Sequence, residues 1–134
     1  MLELRFARYW QLANLSGMFL VLAATLIPAH WLWPDGSLVS WGLSDKWLHG
    51  ITFAFLAVWF CGQYTKSAYW RVAIGLLAFG VLIELCQQAL TYRTADLRDL
   101  LANLAGIATG LLIAAVGVGG WSVRVENWLD KRIE

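Results

Sequence analysis

A chain of 134 residues that is 60% hydrophobic and only 14% charged, with nine tryptophans and a mean hydropathy of +0.60, lies outside the range of soluble domains. Its net charge of +1, with dispersed basic residues, gives no electrostatic footprint for nucleic acid. The expected class is an integral membrane protein: one all-α domain over residues 1–134, built as a four-helix transmembrane bundle with a short C-terminal amphipathic interfacial helix.

Charged residues are absent from 9–34, 47–65 and 100–123, and only Glu84 interrupts 72–92, which leaves four stretches of roughly 19 to 26 residues. Spans are predicted at 8–27, 45–62, 69–91 and 95–118. The first follows Arg5 and Arg8 and has Ala23, Ala24 and Ala29 as small residues, the outline of a signal peptide. Its length, its end at Pro28 and the sidedness set by the remaining basic residues favour an uncleaved helix. Pro28, Pro34, Asp35 and Gly36 mark an outer loop rich in tryptophan, and Ser44 is placed to cap the second helix. Lys66 to Arg71 make an inner loop. Thr94 is placed to cap the fourth helix, whose end is loosened by Gly117, Gly119 and Gly120. Beyond them Trp121, Val125, Trp128 and Leu129 recur at helical spacing opposite Arg124, Asp130 and Lys131, the pattern of an amphipathic surface helix at 121–133.

Arg5, Arg8, Lys66, Arg71, Arg124, Lys131 and Arg132 fall on one side of these spans, against Lys46, Arg93 and Arg98 on the other. Excess basic charge stays inside, so both termini are expected in the cytoplasm. Trp10, Trp70, Trp121 and Trp128 then form the inner interfacial belt, and Trp31, Trp33, Trp41 and Trp47 the outer one; Trp59 alone is read as lying inside a span. Cys61 and Cys86 fall at different depths, too far apart to bridge, and read as small hydrophobes.

Chemistry-bearing residues gather in three constellations, each toward the outer end of a different helix. Asp45, Lys46 and His49 begin the second span, with Asp45 and His49 on one face. Glu84, Gln87 and Gln88 lie near the end of the third. On the fourth, Asp96, Asp99, Asn103, Gly106 and Gly110 recur at intervals of three and four, one seam with a polar outer part and a small inner part. Small residues allow close backbone approach in a membrane and polar ones seek partners on neighbouring helices, so His49, Glu84 and Asp99 are expected to converge, with Asn103 deeper and Arg93 at the rim. Plainer readings compete. Helix-dipole stabilisation accounts for Asp45 and Asp96, an interhelical tie for Arg93, and ordinary hydrogen bonding for His49 and Asn103. Glu84 lies nearest the midplane and needs either a cation or a proton.

Asp45-Lys46-x-x-His49, then Glu84-x-x-Gln87, then Arg93-x-x-Asp96-x-x-Asp99-x-x-x-Asn103-x-x-Gly106 resembles, in order and by helix, the polar motifs of the VanZ-like family. The resemblance covers roughly residues 8–118. The family is named for a protein linked to low-level teicoplanin resistance in Gram-positive bacteria. Teicoplanin acts outside the cytoplasmic membrane on peptidoglycan precursors and carries a lipid tail, so the resemblance implies an outward-facing envelope role.

Three functions fit these residues. In the first, Asp45, Lys46, His49, Glu84, Gln87, Arg93, Asp96, Asp99 and Asn103 line a pocket for a lipid headgroup or lipid-linked cell-wall intermediate. The second is an enzyme acting on a headgroup, in which His49 works with Glu84 or Asp99 as general acid and base, or His49 and the carboxylates hold a metal. The third is a small proton-linked transporter using Glu84, which at this size needs a homo-oligomer. No HExxH, GxSxG or compact metal spacing is present, so neither a metal nor a cofactor is predicted.

Overall fold

The structure is a computed structural model that describes residues 2–27, 45–90 and 97–133. The predicted outer loop, the caps Ser44 and Thr94, and the candidates Arg93 and Asp96 lie outside the described residues, as does the side chain of Asp45. Five α-helices run in chain order: α1 (Ala7–Leu26), α2 (Asp45–Cys61), α3 (Tyr69–Gln88), α4 (Leu97–Ile113) and α5 (Trp121–Ile133). A 3-10 turn, Lys66–Ala68, leads into α3, and a π-helical turn, Ala114–Val118, extends α4. There is no strand among the described residues.

Three segments, Ala7–Leu26, Lys66–Gln88 and Leu97–Val118, are long and apolar enough to cross a membrane, and Lys46–Cys61 is a shorter apolar helix. Leu15, Phe19, Ile51, Phe55, Ile74, Leu85, Leu101 and Leu112 all face outward. Such a surface suits lipid, where exposing leucine has no penalty and every backbone polar group is satisfied within the helix. The chain is a membrane protein of helical architecture.

The buried seam of α4 is Asp99, Asn103, Gly106, Ile107 and Gly110, the three-and-four spacing legible in the sequence. It packs on α2, the most extensive helix pair in the molecule. A side chain at Gly106 would strike the Gly50 carbonyl, and one at Gly110 the Ala54 carbonyl and Ala57. The absence of side chains therefore lets the two backbones touch, the usual source of dispersion energy between membrane helices. Phe53, Leu56, Ala57 and Cys61 of α2 join Val72, Leu76, Phe79 and Ile83 of α3 in the core. Both cysteines are free, Cys61 buried and Cys86 half-buried.

α1 is held differently. None of its residues is buried, although Met18, Val21 and Leu22 rest on the core. It is pinned at its two ends instead. The Gln87 amide of α3 donates to Thr25 O (2.9 Å) in the last turn of α1. Toward the start of α1, the Asn14 and Gln63 amides exchange hydrogen bonds of 2.8 and 2.9 Å, and Trp59 Nε1 also donates to Asn14 Oδ1 (2.8 Å).

The start of α1, the end of α2, the start of α3, the end of α4 and all of α5 gather at one end of the bundle, the terminal end. Phe6, the N-cap of α1, has no side-chain acceptor. The Glu126 carboxylate of α5 supplies it, accepting from Arg5 N (2.9 Å), Phe6 N (3.0 Å) and Trp10 Nε1 (2.8 Å). A carboxylate there satisfies orphan amides and meets the positive end of the helix dipole. Burial pushes the Glu126 carboxyl up, but those three hydrogen bonds and the Arg5 charge outweigh it and hold the group below its ordinary value. Around this point the rings of Trp10, Trp59 and Trp121 are mutually in contact, with centroids 5.1 to 5.9 Å apart. Trp59, read from the sequence as an isolated ring inside a span, thus belongs to the terminal-end cluster: it lies in the last turn of α2. Lys66 Nζ donates to Ala115 O (2.8 Å) and Arg124 to Val118 O (2.9 Å), covering carbonyls of the π-helical turn that extends α4.

Candidate functional site

At the opposite end, the loop end, three helices contribute ligand-type side chains. α2 carries Lys46 and His49 in its first turns. α3 brings Glu84 near its C-terminus. α4 starts with Asp99 in its first turn and Asn103 one turn deeper. Because α2 and α4 are drawn together by Gly106 and Gly110, their polar first turns are drawn together as well, and α3 closes the third side.

The result is that His49, Glu84 and Asp99 offer one ligand atom each, all within 4.8 Å of one another. His49 and Asp99 are buried, at 5% and 6% exposure, and Glu84 is half-buried. His49 Nδ1 lies 3.1 Å from Asn103 Oδ1. An amide oxygen only accepts, so with this amide orientation Nδ1 is the donor of the pair. Lys46 Nζ lies 3.8 Å from Asp99 Oδ1, with the lysine side chain 43% exposed, so the lysine stands on the rim.

Asn103 is fully buried, and its Nδ2 has no hydrogen-bond partner among the described residues. That nitrogen points at Gly80 of α3, where an added Cβ would come within 3.0 Å of it. Glycine at 80, one turn before Glu84, is what makes room for the amide. A buried donor left without a protein acceptor costs about 1 to 3 kcal/mol, a cost that a bound acceptor removes.

The other sequence candidates divide. Gln87 is buried and turned to α1 through Thr25, which makes it an interhelical tie in this structure. Gln88 is exposed. Asn14, Gln63 and Glu126, the polar centre of the terminal end, were not visible as a group in the sequence. The one available signal was Phe6, a helix start with no capping oxygen of its own, which calls for an acceptor from elsewhere in the chain.

No match to the chain is found among the curated proteins or among the solved structures. The family model described as VanZ/LLP1 matches residues 4–118, from just before α1 through the π-helical turn after α4, and so takes in every helix that contributes to the loop-end cluster. The chain therefore belongs to the VanZ/LLP1 family.

Proposed function

We propose that this VanZ-like membrane protein crosses the bacterial inner membrane four times, with both termini cytoplasmic, and that its loop-end cluster faces outward and binds a lipid headgroup or lipid-linked cell-wall intermediate. One observation carries the reading. Three helices spend buried space on His49, Glu84, Asp99 and Asn103 at a single end, and membrane proteins retain such groups where they serve a function. Lys46 at the rim and the Asn103 Nδ2 donor suit phosphate oxygens, and Arg93, by its place in the sequence, adds a second cation.

The topology rests on charge. Arg5, Lys66, Arg71 and Arg124 all belong to the terminal end, the side on which a positive excess stays inside. Lys46–Cys61 is the shorter fourth span, and α5 lies along the inner surface with Trp128 and Leu129 toward lipid. An outward site places the protein where teicoplanin meets peptidoglycan precursors, and altered expression is expected to shift teicoplanin susceptibility.

Native mass spectrometry of protein released from mild detergent, with phosphatidylglycerol and undecaprenyl phosphate as probes, tests the binding. Wild type retains one of these lipids and Arg93→Ala loses it; equal retention by both proteins would overturn the site. A second reading, headgroup catalysis, is favoured by the grouping of an imidazole with two carboxylates, the set used for general acid and base work. It predicts product formation that disappears in His49→Ala and Glu84→Gln, and purified protein inert on envelope lipids removes it.

A further inference from the structure

We infer that His49, Glu84 and Asp99 form a binding site for a divalent transition-metal ion, with Asn103 orienting the imidazole. The use of the ion as an anchor for a phosphate headgroup rests on the proposed function above; ion binding itself does not.

Four features of the loop end lead here. First, the three groups come from three separate helices yet present ligand atoms within 4.8 Å of one another. Two ligands about 2.1 Å from a shared ion stand at most about 4.2 Å apart, so small side-chain rotations close the set around one ion. Second, two carboxylates brought together in a low-dielectric setting repel, and a cation between them turns that repulsion into attraction. Lys46 approaches Asp99 from the rim, 3.8 Å away with its side chain 43% exposed. Third, the His49 Nδ1 contact with Asn103 Oδ1 at 3.1 Å is the arrangement by which ligating histidines are held, one ring nitrogen donating to an oxygen and the other left with its lone pair. Fourth, Asn103 Nδ2 is buried without a protein acceptor among the described residues and points at the α3 face that carries Glu84. A water or phosphate oxygen held by the ion is an acceptor of the right kind for it.

The donor set narrows the ion. One imidazole and two carboxylates suit Zn2+ or Mn2+; Mg2+ and Ca2+ prefer all-oxygen shells, and no thiol is in the set to recruit Cu+. Three protein ligands leave coordination positions open, as sites that act on or hold a substrate do.

The test uses untagged full-length protein in mild detergent, stripped with chelator and titrated with Zn2+, Mn2+ and Mg2+, with bound metal counted by elemental mass spectrometry. Wild type is expected to take up one Zn2+ or Mn2+ per chain and to melt at a higher temperature with the ion bound. Glu84→Gln and Asp99→Asn, which keep size and shape, should weaken uptake more than about tenfold, and Asn103→Ala about tenfold to hundredfold through the imidazole. Asp130→Asn at the terminal end should bind as wild type does. Because a misfolded variant also loses binding, Co2+-loaded wild type gives a separate readout: absorption bands of a nitrogen- and oxygen-ligated site, without thiolate charge transfer, are expected. Wild type that retains no stoichiometric ion, or carboxylate variants that retain it equally, would overturn the inference. Phosphatidylglycerol retained by ion-free protein that takes up no metal sinks the ion site and leaves the headgroup reading standing. Metal bound with no lipid retained supports the ion site and removes the headgroup reading.

Discussion

The two ends of this bundle are both polar, and they are polar in opposite ways. At the terminal end each polar group meets a partner of complementary kind: Glu126 accepts three hydrogen bonds, the Asn14 and Gln63 amides pair reciprocally, and Ser122 donates to Gly62 O. At the loop end groups of one kind converge, two carboxylates and an imidazole on a shared centre, and the amide beside them has a donor with no protein acceptor among the described residues. The first arrangement is complete as protein and fastens helices together. The second leaves the buried Asn103 Nδ2 donor without an acceptor among the described residues. Buried polarity in a membrane bundle is thus informative less by its amount than by whether donors and acceptors match.

Removing the centre of the fastening end should have the largest effect on stability. Glu126→Ala deletes three hydrogen bonds, one of them from the indole of Trp10, and leaves the amides of Arg5 and Phe6 that lead into α1 without their acceptor; about 3 kcal/mol of stability is expected to go. Thermal melting in detergent checks this, and metal and lipid retention at the other end should be unchanged in the fraction that stays folded. If that variant melts as wild type does, the terminal end is not a fastener.

Gly106→Ala attacks what both ends depend on. Its Cβ would meet the Gly50 carbonyl, backbone that cannot swing aside, so overpacking of about 2 kcal/mol is expected, together with weaker ligand retention as α2 and α4 are pushed apart. Unchanged retention alongside lowered stability would show that the loop-end cluster does not need the close seam.

Acid separates the ends without mutation. Glu126 is held below its ordinary value of 4.5, so the stability it adds is fully present above that pH and is lost as pH falls through the lowered value. Wild type should therefore lose melting temperature on acidification below about pH 4.5 more steeply than Glu126→Gln, which has no proton to gain. Parallel pH profiles for the two proteins would contradict this.

Asn103→Ala and Trp59→Phe give the smallest changes in stability and the clearest contrast. Each removes one hydrogen bond, to His49 and to Asn14 respectively, for about 1 kcal/mol or less. Only Asn103→Ala should lower retention of ion or headgroup. A loss of retention in Trp59→Phe would mean that the two ends are coupled through α2.

Much of the architecture was legible because a bilayer restricts what a chain can do. Charge-free stretches separated by basic residues specify helices to within a few positions of those observed, since in lipid the backbone must satisfy itself. The α4 seam was legible for a related reason: Asp99, Asn103, Gly106 and Gly110 share one face of any helix, whatever surrounds it. The spacing of Asp45 and His49, and of Glu84 and Gln87, also identified faces. It did not say which face turns inward: Gln87, grouped with Glu84 in the sequence, turns to Thr25 of α1 instead. His49, Glu84 and Asp99, 35 and 15 residues apart along the chain, were expected to converge, but spacing within one helix could not say how closely their ligand atoms would meet.

What the sequence by itself determined is the material: apolar helices, a basic end, and a polar seam above a small one. Those are properties of single helices, set by composition and by a period of 3.6 residues. What only the tertiary structure decided is pairing between helices: that Glu126 meets the start of α1 from more than a hundred residues away, and how closely the expected convergence of His49, Glu84 and Asp99 brings their ligand atoms together. The physical reason is the contact of α2 with α4 at Gly106 and Gly110, which sets how closely the helices approach and therefore which side chains can reach one another.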